Sequence, residues 1–498
     1  MLITVILFGV ILIISFAYFK GKYNQKYWNN LGVSFYYKSK AGGPFLDFIF
    51  GNKALFQIFS DIYNNSGNVS AVGLGSFFDK VLYVKDPINV QHITQIDFNS
   101  FYHRGVPICD DDLLADNILF NNGAKWKLLR KKLTPLFTSA KLRNMYYIID
   151  KSAQDFVEFL KLNPDKLKGE AHSIYDTITH FNSAAISASV FGIETKSTFE
   201  SPFREMIVKA IKPSLDLNLK FAIGAISEKL YKVLNLKLFN KHESFFIGAM
   251  KKVIKNRKEE EIIRHDFADL CVKLQKEGTM VDLDNNLSIE PTDEVLAAEA
   301  FFFFIAGIEP CTASMFSTMM EMGRHPEILK RVHEEVDAVF EKYNYQLTFD
   351  AIAEMDYLDR VLSESLRMYP PLGLLSRKCM RDTVLPVGNV PVKKGVKVYF
   401  PVYDFHYDPK YHPNPEVFNP DRFLKEEEIN DLTYLPFGRG NRICIGARYA
   451  RLQVLSGLMH FLRHYTVKTH ELEGGIQYER SPMLVRPKNI LIEFIPRS

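Results

Sequence analysis

The sequence predicts a mainly α fold with a minor β part, a single large body behind an N-terminal transmembrane helix. Three observations carry this. An apolar run fills Leu2 to Phe19. Apolar residues then recur at helical spacing from Gly123 to about Leu366. Short β-rich stretches are scattered outside that region, at Val81–Val84, Thr383–Val387, Val396–Phe400 and Ile490–Ile495.

The N-terminal run is interrupted only by Thr4 and Ser15. As a helix it is roughly 27 Å long, close to the hydrocarbon thickness of a bilayer. Lys20, Lys22 and Lys26 follow it and nothing charged but the α-amino group precedes it, so the lysines are expected on the cytosolic side. A cleaved signal peptide is the competing reading. The missing basic start and the absence of a small-residue cleavage site argue against it. The expected division is an anchor over 1–20, a linker over 21–44 with a hinge at Ala41-Gly42-Gly43-Pro44, and a body over 45–498.

Within the body, Phe221–Met250 has an amphipathic pattern, and Lys251–Arg264 is a charge run expected on a solvated helix face. Thr292 is placed to cap a long, very apolar helix from Val295 to about Arg324, with Asp293 and Glu294 in its first turn. Pro413 to Leu435 is expected to be irregular, and a last helix to span about Ile445 to His464.

The 498 residues carry a net charge of +4 and no basic stripe with interleaved aromatics, which does not argue for a nucleic-acid binder. Forty Phe and twenty-four Tyr imply a large aromatic core or pocket. The five cysteines are odd in number, form no CxxC pair and have no zinc-type spacing. That pattern fits a reducing compartment.

The densest chemistry lies in Phe437-Gly438-Arg439-Gly440-Asn441-Arg442-Ile443-Cys444-Ile445-Gly446. Its glycines allow tight turns and a close approach to a flat ligand. Cys444 precedes a helix, whose N–H groups favour a thiolate, and Arg442 can pair with an anionic ligand edge. A glycine-rich loop with a free buried cysteine is the plainer alternative.

The segment resembles the haem-binding signature of the cytochrome P-450 family at every fixed position. Three further blocks match in order, so the resemblance covers essentially the whole chain. It implies that Cys444 ligates the iron of haem b, with Phe437 and Gly446 in the binding loop. Trp126-Lys127-Leu128-Leu129-Arg130 resembles the family's Trp-x-x-x-Arg block, which implies that Trp126 and Arg130 meet a haem propionate. Arg377 and Arg442 are implied as further propionate partners. Glu364-Ser365-Leu366-Arg367 and Arg422, in Phe418–Phe423, are implied to form a buried structural ion network. Phe98–Gly105 and Phe137-Thr138-Ser139 resemble insect microsomal members.

Ala306-Gly307-Ile308-Glu309-Pro310-Cys311-Thr312 resembles the family's oxygen-activating motif, with one departure. Pro310 stands where a threonine is usual. Proline lacks a hydroxyl and an N–H and disrupts the local helix, so a kink is expected there. Glu309 is then the acid of a proton relay, with Ala306 and Gly307 beside it, and regular geometry points Thr312 elsewhere. Phe302 and Phe303 share the face of Ala306 and Pro310 and present an aromatic wall to substrate. The resemblance adds Leu372–Leu375 and Ser481–Val485 to that pocket, with Leu374, Leu375 and Met483 as named contacts.

The implied function is insertion of one atom of dioxygen into an apolar small molecule, a xenobiotic or an endogenous lipid or hormone. Electrons would come from NADPH through a flavin reductase, with a small haem electron carrier as a further partner. Lys127, Lys131, Lys132 and Arg439 are candidate basic docking contacts. The implied location is the cytosolic face of the endoplasmic reticulum membrane. Pro310 keeps two alternatives open: an isomerase or dehydratase that needs no reductase, and a haem-bearing binder without turnover.

Overall fold

The computed structural model describes residues 2–39, 42–193, 215–260, 263–424 and 430–497; the side chains of 2–14, 39, 218 and 225 fall outside that description. The chain is mainly helical with small sheets, as expected. Part of the expected helical region, 194–214, lies outside the described residues.

The long apolar helix spans Asp293–Arg324 and forms the axis of the body. Thr292 caps it, its hydroxyl accepting the Val295 N–H at 3.4 Å. It packs along the helix Ala171–Phe191, itself almost wholly buried. At Gly307 the two helices approach so closely that a Cβ would sit 2.6 Å from Ile186 Cδ1. A last helix, Ala447–His464, closes this bundle. Among the helices whose side chains are described throughout, Asp293–Arg324 is the one long and apolar enough to cross a bilayer, and its place here is the core.

The first sheet has four strands in the order Ala71–Leu74, Val81–Val84, Lys397–Pro401, Leu374–Lys378. Only the middle pair is parallel. Two of its strands match the expected Val81–Val84 and Val396–Phe400. The expected Thr383–Val387 strand is Thr383–Leu385, and Ile490–Pro496 joins Tyr465–Glu471 and Lys168–Glu170 in a second sheet.

Four expectations change. The first helix continues past the lysines to Asn30, so the stretch read as linker begins as helix. Trp28 explains this, because it is fully buried against the first strand and its indole N–H donates to the Leu74 carbonyl at 3.4 Å. Gly43 and Pro44, expected in a hinge, open the helix Gly43–Phe50 and are buried; Ala41 lies outside the described residues. The amphipathic stretch Phe221–Met250 is broken into Leu215–Ile226, Glu228–Val233 and Glu243–Glu260. Ser227 ends one helix and caps the next, accepting the Leu230 N–H at 3.1 Å. The charge run is not uniformly solvated either. Arg257 is buried and pairs with Asp266 at 2.8 Å, because a buried cation needs a carboxylate.

Candidate active site

The central helix, the strand Leu374–Lys378, the loop before Ala447 and the turn at Ser481–Leu484 enclose one cavity of about 600 Å³. That size suits a ligand site. Cys444 lines it and is exposed to it, whereas the other four cysteines are buried and all five are free. The loop is held from behind, since the Cys444 N–H donates to the Phe437 carbonyl at 2.9 Å. Burial pushes the Cys444 thiol up. The Gly446 N–H and the charges of Arg130 and Arg104 pull the other way, toward thiolate.

The cavity edge is cationic. Arg130, Arg377 and Arg442, named from the sequence, all line it, and Arg442 lies 4.3 Å over the Trp126 ring. Sequence reasoning missed a fourth, Arg104, although it stands in the Phe98–Gly105 block. Among the described residues none of the four has a carboxylate partner. Arg104 Nε, Arg377 Nε and both Nε and Nη1 of Arg442 are buried without any hydrogen bond. Burial, with mutual repulsion, pushes Arg442 down to about 8 and Arg377 to about 9. So many desolvated, unanswered guanidinium groups call for an anion. A flat group with two carboxylates and a thiolate-binding metal, as in haem, fits these donors.

The central helix supplies another wall. Phe302, Phe303, Ala306, Gly307, Glu309 and Pro310 all line the cavity, as do Leu374, Leu375 and Met483. Within the two expected pocket segments, Gly373 and Val485 instead pack against Phe56. Thr312 is fully buried off the cavity, and its hydroxyl has no partner among the described residues.

The helix runs on through Pro310, the position of the expected kink. Side-chain donors serve the neighbouring carbonyls. Gln453 donates to the Gly307 carbonyl at 3.2 Å and Tyr175 to that of Glu309 at 3.2 Å. The Glu309 carboxylate is not solitary, as sequence reading left it, but bonds Tyr175 and Arg486.

Behind the cavity, Glu364, Arg367 and Arg422 meet as expected. The basic docking group is reduced. Lys132 pairs with Glu277 at 3.3 Å and Arg439 donates to the Asp431 carbonyl, while Lys127 and Lys131 are exposed.

Residues 43–494 match the family model described as Cytochrome P450. The chain is 31% identical to cytochrome P450 6B7 of Helicoverpa armigera, over 98% of this chain and 97% of that one. It is 31% identical to cytochrome P450 6k1 of Blattella germanica, over 93% and 91%. It is also 31% identical to the probable cytochrome P450 6a13 of Drosophila melanogaster, over 91% of each.

Proposed function

The chain belongs to the cytochrome P450 family, whose members are monooxygenases, and from that premise we propose a microsomal enzyme of the insect detoxification type that oxidises large apolar molecules. One observation carries the reading. A cavity of about 600 Å³ brings together the Cys444 thiol, four guanidinium groups with no carboxylate partner among the described residues, and the aromatic face of the central helix.

In this reading Cys444 would hold the haem iron through its thiolate, and Trp126, Arg104, Arg130, Arg377 and Arg442 would hold the two propionates. Bound haem supplies the reduction of dioxygen and the oxidation of substrate carbon. Phe437 and Gly446 shape the loop around the thiolate. Phe302, Phe303, Leu374, Leu375 and Met483 seat the substrate and exclude water. Apolar contacts of this kind separate similar molecules poorly, which suits a broad substrate range. Glu309 holds and releases a proton at its carboxylate, with Ala306, Gly307 and Pro310 beside it. Glu364, Arg367 and Arg422 support the loop and take no part in chemistry.

Electrons come from NADPH through a flavin reductase, with a small haem carrier as an additional donor. Lys127 and Lys131 are the remaining basic contacts for it. Residues 1–20 anchor the 45–498 catalytic domain to the cytosolic face of the endoplasmic reticulum.

Pro310 favours a second reading. It occupies the cavity wall where the family places a hydroxyl, and Thr312 does not replace it. An isomerase or dehydratase acting on an oxygenated substrate needs no such hydroxyl.

The test begins with the reduced, CO-bound absorption spectrum of the wild type and of Cys444→Ala. A thiolate-type band present only in the wild type is expected, and its absence from the wild type refutes the proposal. Product formation from an apolar panel, with and without NADPH, reductase and dioxygen, follows. Turnover without NADPH selects the isomerase reading, and tight binding without product selects a binder.

A further inference from the structure

Glu309 is the only carboxylate among the described residues that line the cavity, and its surroundings are built. Its Oε1 accepts the Tyr175 hydroxyl at 3.0 Å and Arg486 Nη2 at 2.8 Å. The Arg486 guanidinium lies 3.7 Å over the Tyr175 ring, and its Nη1 donates to Glu479 Oε2 at 2.9 Å. The Glu479 side chain is 31% exposed and that of Glu309 12%. One fork therefore joins an inner carboxylate to an outer one. Three segments far apart in sequence supply these groups: the helix Ala171–Phe191, the central helix, and the C-terminal hairpin of Gln477–Tyr478 with Pro487–Lys488. The same hairpin brings Met483 and Leu484 to the cavity.

We propose that Arg486 is a positioning residue for Glu309, tying one carboxylate oxygen against Tyr175 so that the other is left to exchange a proton with the cavity. This rests on the reading above in which Glu309 is the proton donor. The guanidinium stays charged and does not itself act as the acid. Its role is to set the carboxylate's orientation and proton affinity. In each exchange one proton from solvent is taken up by the Glu309 carboxylate and one leaves it toward the cavity; no electrons move. A lysine would supply the charge but not the fork that grips two carboxylates at once.

The charged and titratable groups facing Glu309 act in opposite directions. Burial pushes its carboxyl up, Arg486 and Tyr175 pull it down, and Glu479 and Asp176 push it up again. Removing Arg486 must therefore make Glu309 easier to protonate.

The experiment titrates the protonated-carboxyl infrared band of the full-length holoprotein against pH. The band is assigned by its loss in Glu309→Gln. In Arg486→Gln its midpoint should rise by about one pH unit or more, since a neighbouring cation commonly shifts a carboxylate by that much. In Arg486→Lys it should rise less. The share of NADPH electrons recovered in product should fall several-fold in Arg486→Gln and recover partly in Arg486→Lys, with substrate binding unchanged in both. An unmoved midpoint overturns the proposal. So does a loss of coupling matched by loss of substrate binding. The reduced CO band is recorded for every variant. Its absence from the wild type refutes the haem-thiolate reading itself, whereas an intact band with an unmoved midpoint refutes only the role of Arg486. Where Arg486→Gln loses the band, Tyr175→Phe carries the test: its midpoint must also rise, and no rise overturns the proposal.

Discussion

Glu364 and Arg367 lie one turn apart on the helix Asp356–Met368 and bind each other through two hydrogen bonds, of 2.7 and 2.9 Å, with neither side chain exposed. The rest of the Arg367 fork donates to the carbonyls of His406 and Pro415, both at 2.8 Å. Glu364 Oε1 also accepts the Asn419 N–H at 2.9 Å and Arg422 Nε at 3.2 Å. The pair thus ties a helix to the irregular segment leading to the Cys444 loop. Breaking a buried pair strands the other charge, which costs about 3–5 kcal/mol. Glu364→Ala and Arg367→Ala should each lower the thermal midpoint sharply and cut the yield of haem-loaded protein. Arg422→Ala should cost less, about 1 kcal/mol, because that side chain is 16% exposed and its contact longer. Equal losses in all three variants would contradict this ranking.

Gly440 makes a separate demand four residues before the thiol. Its φ is +71°, and a Cβ there would sit 2.1 Å from the Thr94 backbone carbonyl oxygen. A backbone atom cannot rotate away, so the loop itself must move. Gly440→Ala should cost about 2 kcal/mol or more, since the left-handed conformation alone costs about 1–2 kcal/mol. The displacement should also reduce the share of protein showing the thiolate-type CO band. A variant with an unaltered band and melting point would remove this constraint.

What the sequence disclosed follows from how local each feature is. The Cys444 loop is a ten-residue pattern, and the Thr292 cap and central helix need only neighbouring residues. All of them were legible. Glu309 was legible as an acid, but Tyr175 and Arg486 lie 134 and 177 positions away. No periodicity links such distant groups. Arg104 was quoted within a block of resemblance, yet nothing nearby marks it as facing the cavity; only the packing of that block against Arg377 and Arg442 does. The break at Ser227 was missed because amphipathic spacing continues across it, while the capping hydroxyl that divides the helices is a single residue. Trp28 was missed as a core residue because the lysines around it read as a membrane flank.

Glu299 predicts a pH dependence of stability. It is 1% exposed, its Oε2 accepts the Ile118 N–H at 3.2 Å, and Oε1 has no partner among the described residues. Burial pushes its carboxyl up to about 8. The unfolded chain titrates this group near its usual value of about 4.3. Between those values the folded state holds the extra proton, so the Glu299 contribution to stability falls as pH rises through the window and levels off above about 8. Glu299→Gln keeps an acceptor for Ile118 and removes the titration. The variant should match the wild type near pH 4.5 and exceed its stability by roughly 2–4 kcal/mol near pH 8.5. Denaturant midpoints at the two pH values measure the difference, and a constant gap between the proteins would contradict the assignment.

Pro310 is where the family's pattern and this chain part, and reversing it tests the distal chemistry directly. Pro310→Thr returns an N–H that can bond the Ala306 carbonyl, and it places a hydroxyl on the cavity wall. Because interior proline costs a helix about 3 kcal/mol, the variant should be no less stable than the wild type, and any loss of turnover cannot be blamed on unfolding. If Glu309 already delivers protons to a monooxygenase site, an added hydroxyl one residue away should shorten the path. A larger share of NADPH consumption should then end in product and less in peroxide. Unchanged or lower coupling would argue against proton delivery through Glu309. Product formation indifferent to NADPH in both proteins would instead favour the isomerase reading, in which Pro310 serves by keeping a hydroxyl away from a substrate that already carries its oxygen.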